Sequence, residues 1–407
     1  MKDLLLNNDF RLLFITRSLR LFAYGFLSVV LMIYLSHLGL SGGKIGLLFT
    51  LTLVGDTVIS LWITTTADRR GRRRMLLIGA LLMIFAGVLF AVTDNFVLLL
   101  VAATIGVISP SGNEVGPFLS IEQASLSHVI PNEVRTRVFA WYNLAGSFST
   151  ALGALSGGAL VQLLQRLGVA PLESYRTVVA GYAAAGLVLA VLFTRLSGAV
   201  EIPVRTAPEM PLFLGLHKSK RVVFKLSALF SVDAFAGGFV LQSFLAYWFY
   251  TKFMVQPAAL GGIFFGANIL AGISALAASW VARRIGLIRT MVFTHIPSNI
   301  MLILVPLMPT LPLAIAMLLL RFSISQMDVP TRQSYTMAVI SPDERSAAAG
   351  VTGVARTLGA SLSPLFAGPL LVRATLMNVP FFVSGGLKII YDLLLYRSFR
   401  NVKPPEE

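Results

Sequence analysis

The sequence predicts an all-α membrane protein, with twelve transmembrane helices arranged as two pseudo-symmetric six-helix bundles. Three observations carry that expectation. Of 407 residues, 56% are hydrophobic and only 13% charged, and the mean hydropathy is +0.80, a balance foreign to soluble domains of this length. Apolar windows of about 20 residues, enough to cross a bilayer, recur about twelve times. Features of the first half return in the second half in the same order.

The windows fall near residues 12–36, 44–66, 75–93, 96–126, 138–164, 176–196, 222–250, 258–282, 288–308, 311–339, 346–371 and 378–397. The first lacks a cleavage site of small residues and is read as a retained span rather than a signal peptide. The long polar interval at 198–221 is read as a cytoplasmic linker between a bundle over 1–197 and a bundle over 222–407. The formal charge of +15 sits mostly in short loops between spans, which points to topology and anionic lipid headgroups and away from nucleic acid. About 22 of the 33 Lys and Arg fall on one side, about 5 on the other and about 6 within spans. That asymmetry places both termini in the cytoplasm of a cell whose (inner) membrane the chain crosses. There is no cysteine, hence no disulfide framework or thiolate chemistry. No phosphate-binding glycine spacing, metal-ligand cluster or nucleophile–base set is visible, so no enzyme, cofactor or metal is expected.

Between the second and third windows lies Ala67-Asp68-Arg69-Arg70-Gly71-Arg72-Arg73-Arg74. Arginines in a short loop hold it in the cytoplasm, and Gly71 lets it turn tightly. The pattern Asp68-Arg69-x-Gly71-Arg72-Arg73 resembles the loop motif between the second and third helices of the major facilitator superfamily. The family usually has Gly four residues before the Asp, where this chain has Thr64. The internal repeat fits the same resemblance. Arg20–Phe26 aligns with Asp233–Phe239, Ala67–Gly71 with Ala282–Gly286, and Glu122-Gln123 with Arg332-Gln333. The resemblance implies a secondary transporter whose first, fourth, seventh and tenth helices line a central cavity. It also implies a conformational-switch loop at Asp68, Arg69, Gly71, Arg72 and Arg73. Within it, Asp68 and Arg72 would tie the ends of the second and third spans to a neighbouring helix.

A charge at mid-bilayer costs roughly 2.5–3.5 kcal/mol on insertion scales, so each deep charge needs a partner or a wet cavity. The windows contain Arg17, Arg20, Arg321, Arg332, Arg356 and Lys388 against Asp56, Glu114, Glu122, Asp233, Asp328 and Asp392. For each, a structural ion pair or a snorkelling end residue is the alternative to a transport role. Lys388 and Asp392, four apart on one helix, are expected to neutralise each other. Arg20 and Asp233 occupy matching repeat positions with opposite charge and are expected to meet in at least one state, an Arg20–Asp56 pair being the alternative. In the fourth window, Pro110, Gly112, Gly116 and Pro117 interrupt the helix around Asn113 and Glu114. The tenth answers with Asp328, Pro330, Arg332 and Gln333, and interrupted helices point to transporter binding sites. Gly153–Gly158 loosely resembles the antiporter motif of drug-exporting relatives, with Ala154 where Pro is usual. His295 is read as a hydrogen-bonded structural residue, with a proton relay as the alternative. The aromatic run Phe244–Tyr250 reads as an interfacial belt.

These residues lead to a proton-coupled carrier of a small organic solute working by alternating access, with export as the first reading. Organic-anion uptake or exchange is the alternative, favoured by the arginines, since guanidinium forks match carboxylate and phosphate. A uniporter, a channel-like pore and a transport-dead receptor remain further alternatives. Asp56, Glu114, Asp233 and Asp328 are the proton-coupling candidates. Arg20, Asn113, Glu122, Gln123, Arg321, Arg332, Gln333 and Arg356 are the cavity candidates. The expected partners are the solute, protons and membrane lipids, for a monomeric protein.

Overall fold

A computed structural model of the chain describes residues 7–114, 116–131, 135–201, 216, 218–341 and 344–400. Of the linker, 202–215 and 217 lie outside the described residues, as do the side chains of Asp68 and Arg69 in the loop motif.

The chain is all-helical and follows the twelve windows in order. The first span is α1 (Asn8–Ser28) and α2 (Leu31–His37), bent by 43°. Then come α3 (Gly42–Arg70), α4 (Arg72–Val92), and a fourth span split into α5 (Phe96–Ile105) and α6 (Phe118–Val129). Next are α7 (Arg135–Arg166) and α8 (Pro171–Thr194), and a seventh span made of α9 (Lys220–Gly238) and α10 (Gln242–Phe253). After α11 (Pro257–Ile285) and α12 (Leu287–Leu304), the tenth span is split into α13 (Leu311–Phe322) and α14 (Asp328–Val339). The chain ends in α15 (Arg345–Leu371) and α16 (Val379–Phe399). Among the described residues, 8 helices are long and apolar enough to cross a membrane alone, or up to 9 if the bent pair is one span. The fourth and tenth spans fall short because they are broken.

The breaks follow the repeat. The first, fourth, seventh and tenth spans are the interrupted ones, and each stands three spans from the next. Local chemistry sets the ends elsewhere. Asn7, Ser41 and Asn95 cap α1, α3 and α5 by accepting from Phe10, Lys44 and Val97 amides, satisfying donors that a helix start leaves bare. Gly71 and Gly286, repeat partners, end α3 and α11 at φ of 99° and 86°, a region closed to most side chains.

The chain divides into two compact units. The first is Met1–Thr206 with Gln242–Phe265, and the second is Ala207–Leu241 with Gly266–Glu407. In the first, α1 packs on α7 and α4 on α8. A methyl group at Gly153 or Gly157 would overlap the Phe22 or Phe26 carbonyl, so backbones touch directly along this seam. The start of α10 is tied to the breaks of the first and fourth spans. The Ser243 hydroxyl lies 2.7 Å from the Ser28 carbonyl and 2.6 Å from that of Pro110, and its N–H donates to Pro110 at 3.1 Å. Gln242 Nε2 donates to Ser28 Oγ at 2.8 Å. The interrupted helices thus satisfy one another's freed carbonyls. Phe244, Tyr247, Trp248 and Phe249 are buried in this unit, which corrects the reading of the run as an interfacial belt. Composition alone cannot distinguish an aromatic packed against protein from one at a headgroup.

In the second unit, α9 packs on α15 and α16, and α12 on α14 and α16. Leu226, Phe230, Met291, Val292, Tyr335, Tyr391 and Leu395 form its buried core. A methyl group at Gly359 would overlap the Ser231 carbonyl, repeating in the α9–α15 seam the close approach of α1 and α7.

Candidate functional site: a charge network in each unit

In the first unit the network centres on Arg20, which is fully buried on α1. Its Nη1 and Nη2 donate to the two oxygens of Glu122 on α6, both at 2.8 Å, and its Nε donates to Glu114 at 2.9 Å. Glu114 sits in the break between α5 and α6, and its second oxygen lies 3.1 Å from Arg17 Nη1. Tyr142 and Thr16 hydroxyls complete the shell of Glu122 at 2.5 and 3.0 Å. Arg17 reaches Asn143 and lies over the Tyr142 ring, while Arg20 lies over Phe118. One cation is therefore held between two acids, with a bidentate fork on one of them.

Asp56 on α3 takes no part in this network. It is half-buried, receives a 3.4 Å hydrogen bond from Ser60 Oγ, and has no ion pair among the described residues. The alternative Arg20–Asp56 pair is not formed. Gln123 is half-buried, and Asn113 is exposed in the break.

In the second unit the network centres on Asp233, buried on α9. Its oxygens bind Lys388 Nζ of α16 at 2.6 Å and Arg332 Nη1 of α14 at 3.0 Å. Arg332 also lies 3.1 Å from Asp328, one helical turn before it. Lys388 is spent on Asp233 and does not neutralise Asp392, which corrects the expected local pair. Asp392 instead faces α12, where His295 Nδ1 lies 2.9 Å and Asn299 Nδ2 3.2 Å from its carboxylate. Two residues one turn apart on α16 thus answer different helices. Arg20 and Asp233, expected to meet, each already hold two partners inside their own unit.

Arg321 on α13 and Arg356 on α15 differ from every other deep cation. Neither makes a hydrogen bond or an ion pair among the described residues, and the Nε of each is buried without a partner. Arg321 is 9% exposed and rests against the Phe322 ring. Gln333 is exposed.

At the loop motif, Arg72 is buried and its guanidinium donates to the Val200 carbonyl at 3.3 Å. The Arg72 and Arg73 amides, bare at the start of α4, donate to Glu201 at 2.7 and 3.1 Å. A carboxylate there suits the helix dipole. The sequence reading missed Glu201, though it is the first acid after the sixth span. It also passed over Tyr142 and Asn143, which no motif marks.

Buried ion networks on broken helices of a twelve-span chain define a membrane transport protein. A model of the Major Facilitator Superfamily matches residues 13–364, and the chain belongs to that superfamily. It is therefore a multi-pass integral membrane protein of a family that carries small molecules. The chain is 34% identical over 428 residues to the uncharacterized membrane protein YJR124C of Saccharomyces cerevisiae, covering 97% of this chain and 95% of that protein. It is 26% identical over 162 residues, 40% of each chain, to the quinolone resistance protein NorA of Staphylococcus aureus. The fold matches a crystal structure of a bacterial homolog of the human lysosomal transporter Spinster with a TM-score of 0.72, at 16% identity over 96% of both chains.

Proposed function

We propose that this chain is a proton-coupled secondary transporter of a small organic solute bearing an anionic group. It works by alternating access in a cell membrane, with both termini cytoplasmic and with 1–197 and 222–407 as its moving halves. The observation that carries this reading is the pair of unanswered arginines. A guanidinium nitrogen buried without a hydrogen bond is costly, and a carboxylate or phosphate entering from solution supplies what the buried Nε atoms of Arg321 and of the half-buried Arg356 lack. The counterpart in the first unit is Asp56, an acid without a cation, which suits it to carry a proton. Glu114, Asp233 and Asp328 act through the networks, and Asp68 through Gly71 and Arg73 shape the switch loop that Glu201 anchors.

For direction, export remains the first reading, supported by the partial likeness to NorA, and uptake or exchange the alternative. Counterflow in proteoliposomes, with a panel of organic anions and cations at two pH values, tests both parts. Anions should exchange and cations should not. Exchange of cations alone would overturn the substrate class, and flux indifferent to a pH gradient would remove the coupling. Asp56→Asn should retain counterflow while losing the response to a pH gradient.

A further inference from the structure

The mechanism above leaves one buried titratable pair unused. His295 of α12 and Asp392 of α16 are both buried, at 5% and 0% exposure. The ring Nδ1 is bonded to the carboxylate, which orients the imidazole and leaves Nε2 without a hydrogen bond among the described residues. A ring held by a carboxylate through one nitrogen is a base at the other. Asn299 fixes the second carboxylate oxygen. No guanidinium or ammonium bonds Asp392 among the described residues.

The charged and titratable groups nearest this pair are Lys388 and Tyr391 on α16 itself and Asp233 on α9. Asp328 and Arg332 on α14 and Arg356 on α15 stand one step further out, facing Asp233 and Tyr391. Asp233 and Asp328 balance Arg332 and Lys388 within their own bonded network, while Asp392, bonded to His295 and Asn299, stands outside it as one uncompensated acid. Isolated excess charge in a low-dielectric interior is costly, and one proton on the His295–Asp392 pair removes it. Arg321 and Arg356, which bond to none of these acids, stay available to the solute.

We propose that His295 and Asp392 together form a proton-binding site in the second unit, holding one exchangeable proton as an imidazolium–carboxylate pair. As a second proton site of the coupled carrier it rests on the reading above. The proton enters at Nε2, while the Nδ1–H bond to Asp392 is kept, so no further co-reactant is needed. Loss of that proton leaves Asp392 uncompensated one helical turn from Lys388, and so favours a swing of Lys388 from Asp233 toward Asp392. The proton state of the site is thereby passed to the Asp233–Arg332 pair.

The test reads the proton directly and needs no solute. The full-length protein is purified with nitrogen-15-labelled histidine. The His295 ring signals are assigned among the four histidines by comparison with His295→Gln, and are followed from about pH 5 to about pH 9. The expected result is an imidazolium signal at about pH 7 that is lost at higher pH. Its population at neutral pH should fall on the order of tenfold in Asp392→Asn. A ring that stays neutral across the whole range in the wild-type protein overturns the site, whatever the variants do. An imidazolium unchanged in Asp392→Asn overturns the pairing. If His295 titrates as expected while counterflow ignores a pH gradient, the coupled-carrier reading fails and the site stands.

Discussion

The two units solve the same problem with opposite signs. In the first, one cation, Arg20, is held between two acids, Glu114 and Glu122. In the second, one acid, Asp233, is held between two cations, Arg332 and Lys388. Arg20 and Asp233 are repeat partners, and so are Glu122 and Arg332. The bond between the first and fourth helices of each half was kept when the sign of both ends was reversed. What differs is the surplus. The first unit keeps an acid, Asp56, without a cation, and the second keeps two arginines without acids. A repeat thus fixes where a buried pair must form, while leaving each half free to favour a ligand of opposite charge.

Removing the central ion should break this comparison most severely. Arg20→Gln strands Glu122 and leaves Glu114 with Arg17 alone, and Asp233→Asn strands Lys388 and leaves Arg332 with Asp328 alone. Each should cost about 3–5 kcal/mol, read as loss of thermal stability in detergent. If either variant were as stable as the parent, the network would be ornamental in that unit. The flanking partners come next. Glu122→Gln leaves Arg20 with Glu114, and Lys388→Met leaves Asp233 with Arg332, so about 1–3 kcal/mol is expected for each. The double variant Arg20→Gln/Glu122→Gln should be more stable than the sum of the single losses predicts, since Glu122 no longer needs a cation and Glu114 keeps Arg17. Strict additivity would argue that the two residues do not act as a pair.

Arg321→Gln should not lower stability by more than about 0.5 kcal/mol and should tend to raise it, because no bond is lost and an unpaired buried charge is removed. It should nonetheless weaken apparent affinity for an organic anion on the order of tenfold in counterflow. A large loss of stability with unchanged affinity would reassign Arg321 to the scaffold. The smallest effect concerns the loop. Glu201→Gln keeps an acceptor at the start of α4 and should cost about 1 kcal/mol or less, detectable as faster amide exchange at Arg72 and Arg73.

Much of the fold was legible because hydropathy is a long-range signal that survives ignorance of packing. The interrupted fourth and tenth spans could be seen too, at Pro110, Gly112 and Pro330, since helix breakers act locally, whereas the breaks of the first and seventh carry no proline and were not read. The candidate site was legible only as a set of depths. The repeat alignment states that Arg20 and Asp233 are equally deep but not which way either faces, so their actual partners within each unit could not be read. Lys388 misled for the same reason. Spacing of four residues makes Asp392 its cheapest partner on an isolated helix, yet Asp233 offers a 2.6 Å bond from a neighbouring one. Glu201 was missed because a helix-capping acid far along the chain leaves no local pattern.

The glycine seams have a mechanical consequence. Where α1 meets α7 at Gly153 and Gly157, and α9 meets α15 at Gly359, backbone rests on backbone with no side-chain layer between. Side chains are the compliant part of a helix contact: they swing between rotamers and let helices slide, whereas a peptide plane does not. Such seams are stiff in shear. A load applied at one end of α1 is therefore delivered along its length to α7 with little lost to internal creep. The give in each unit is concentrated at the four places where the helices are broken.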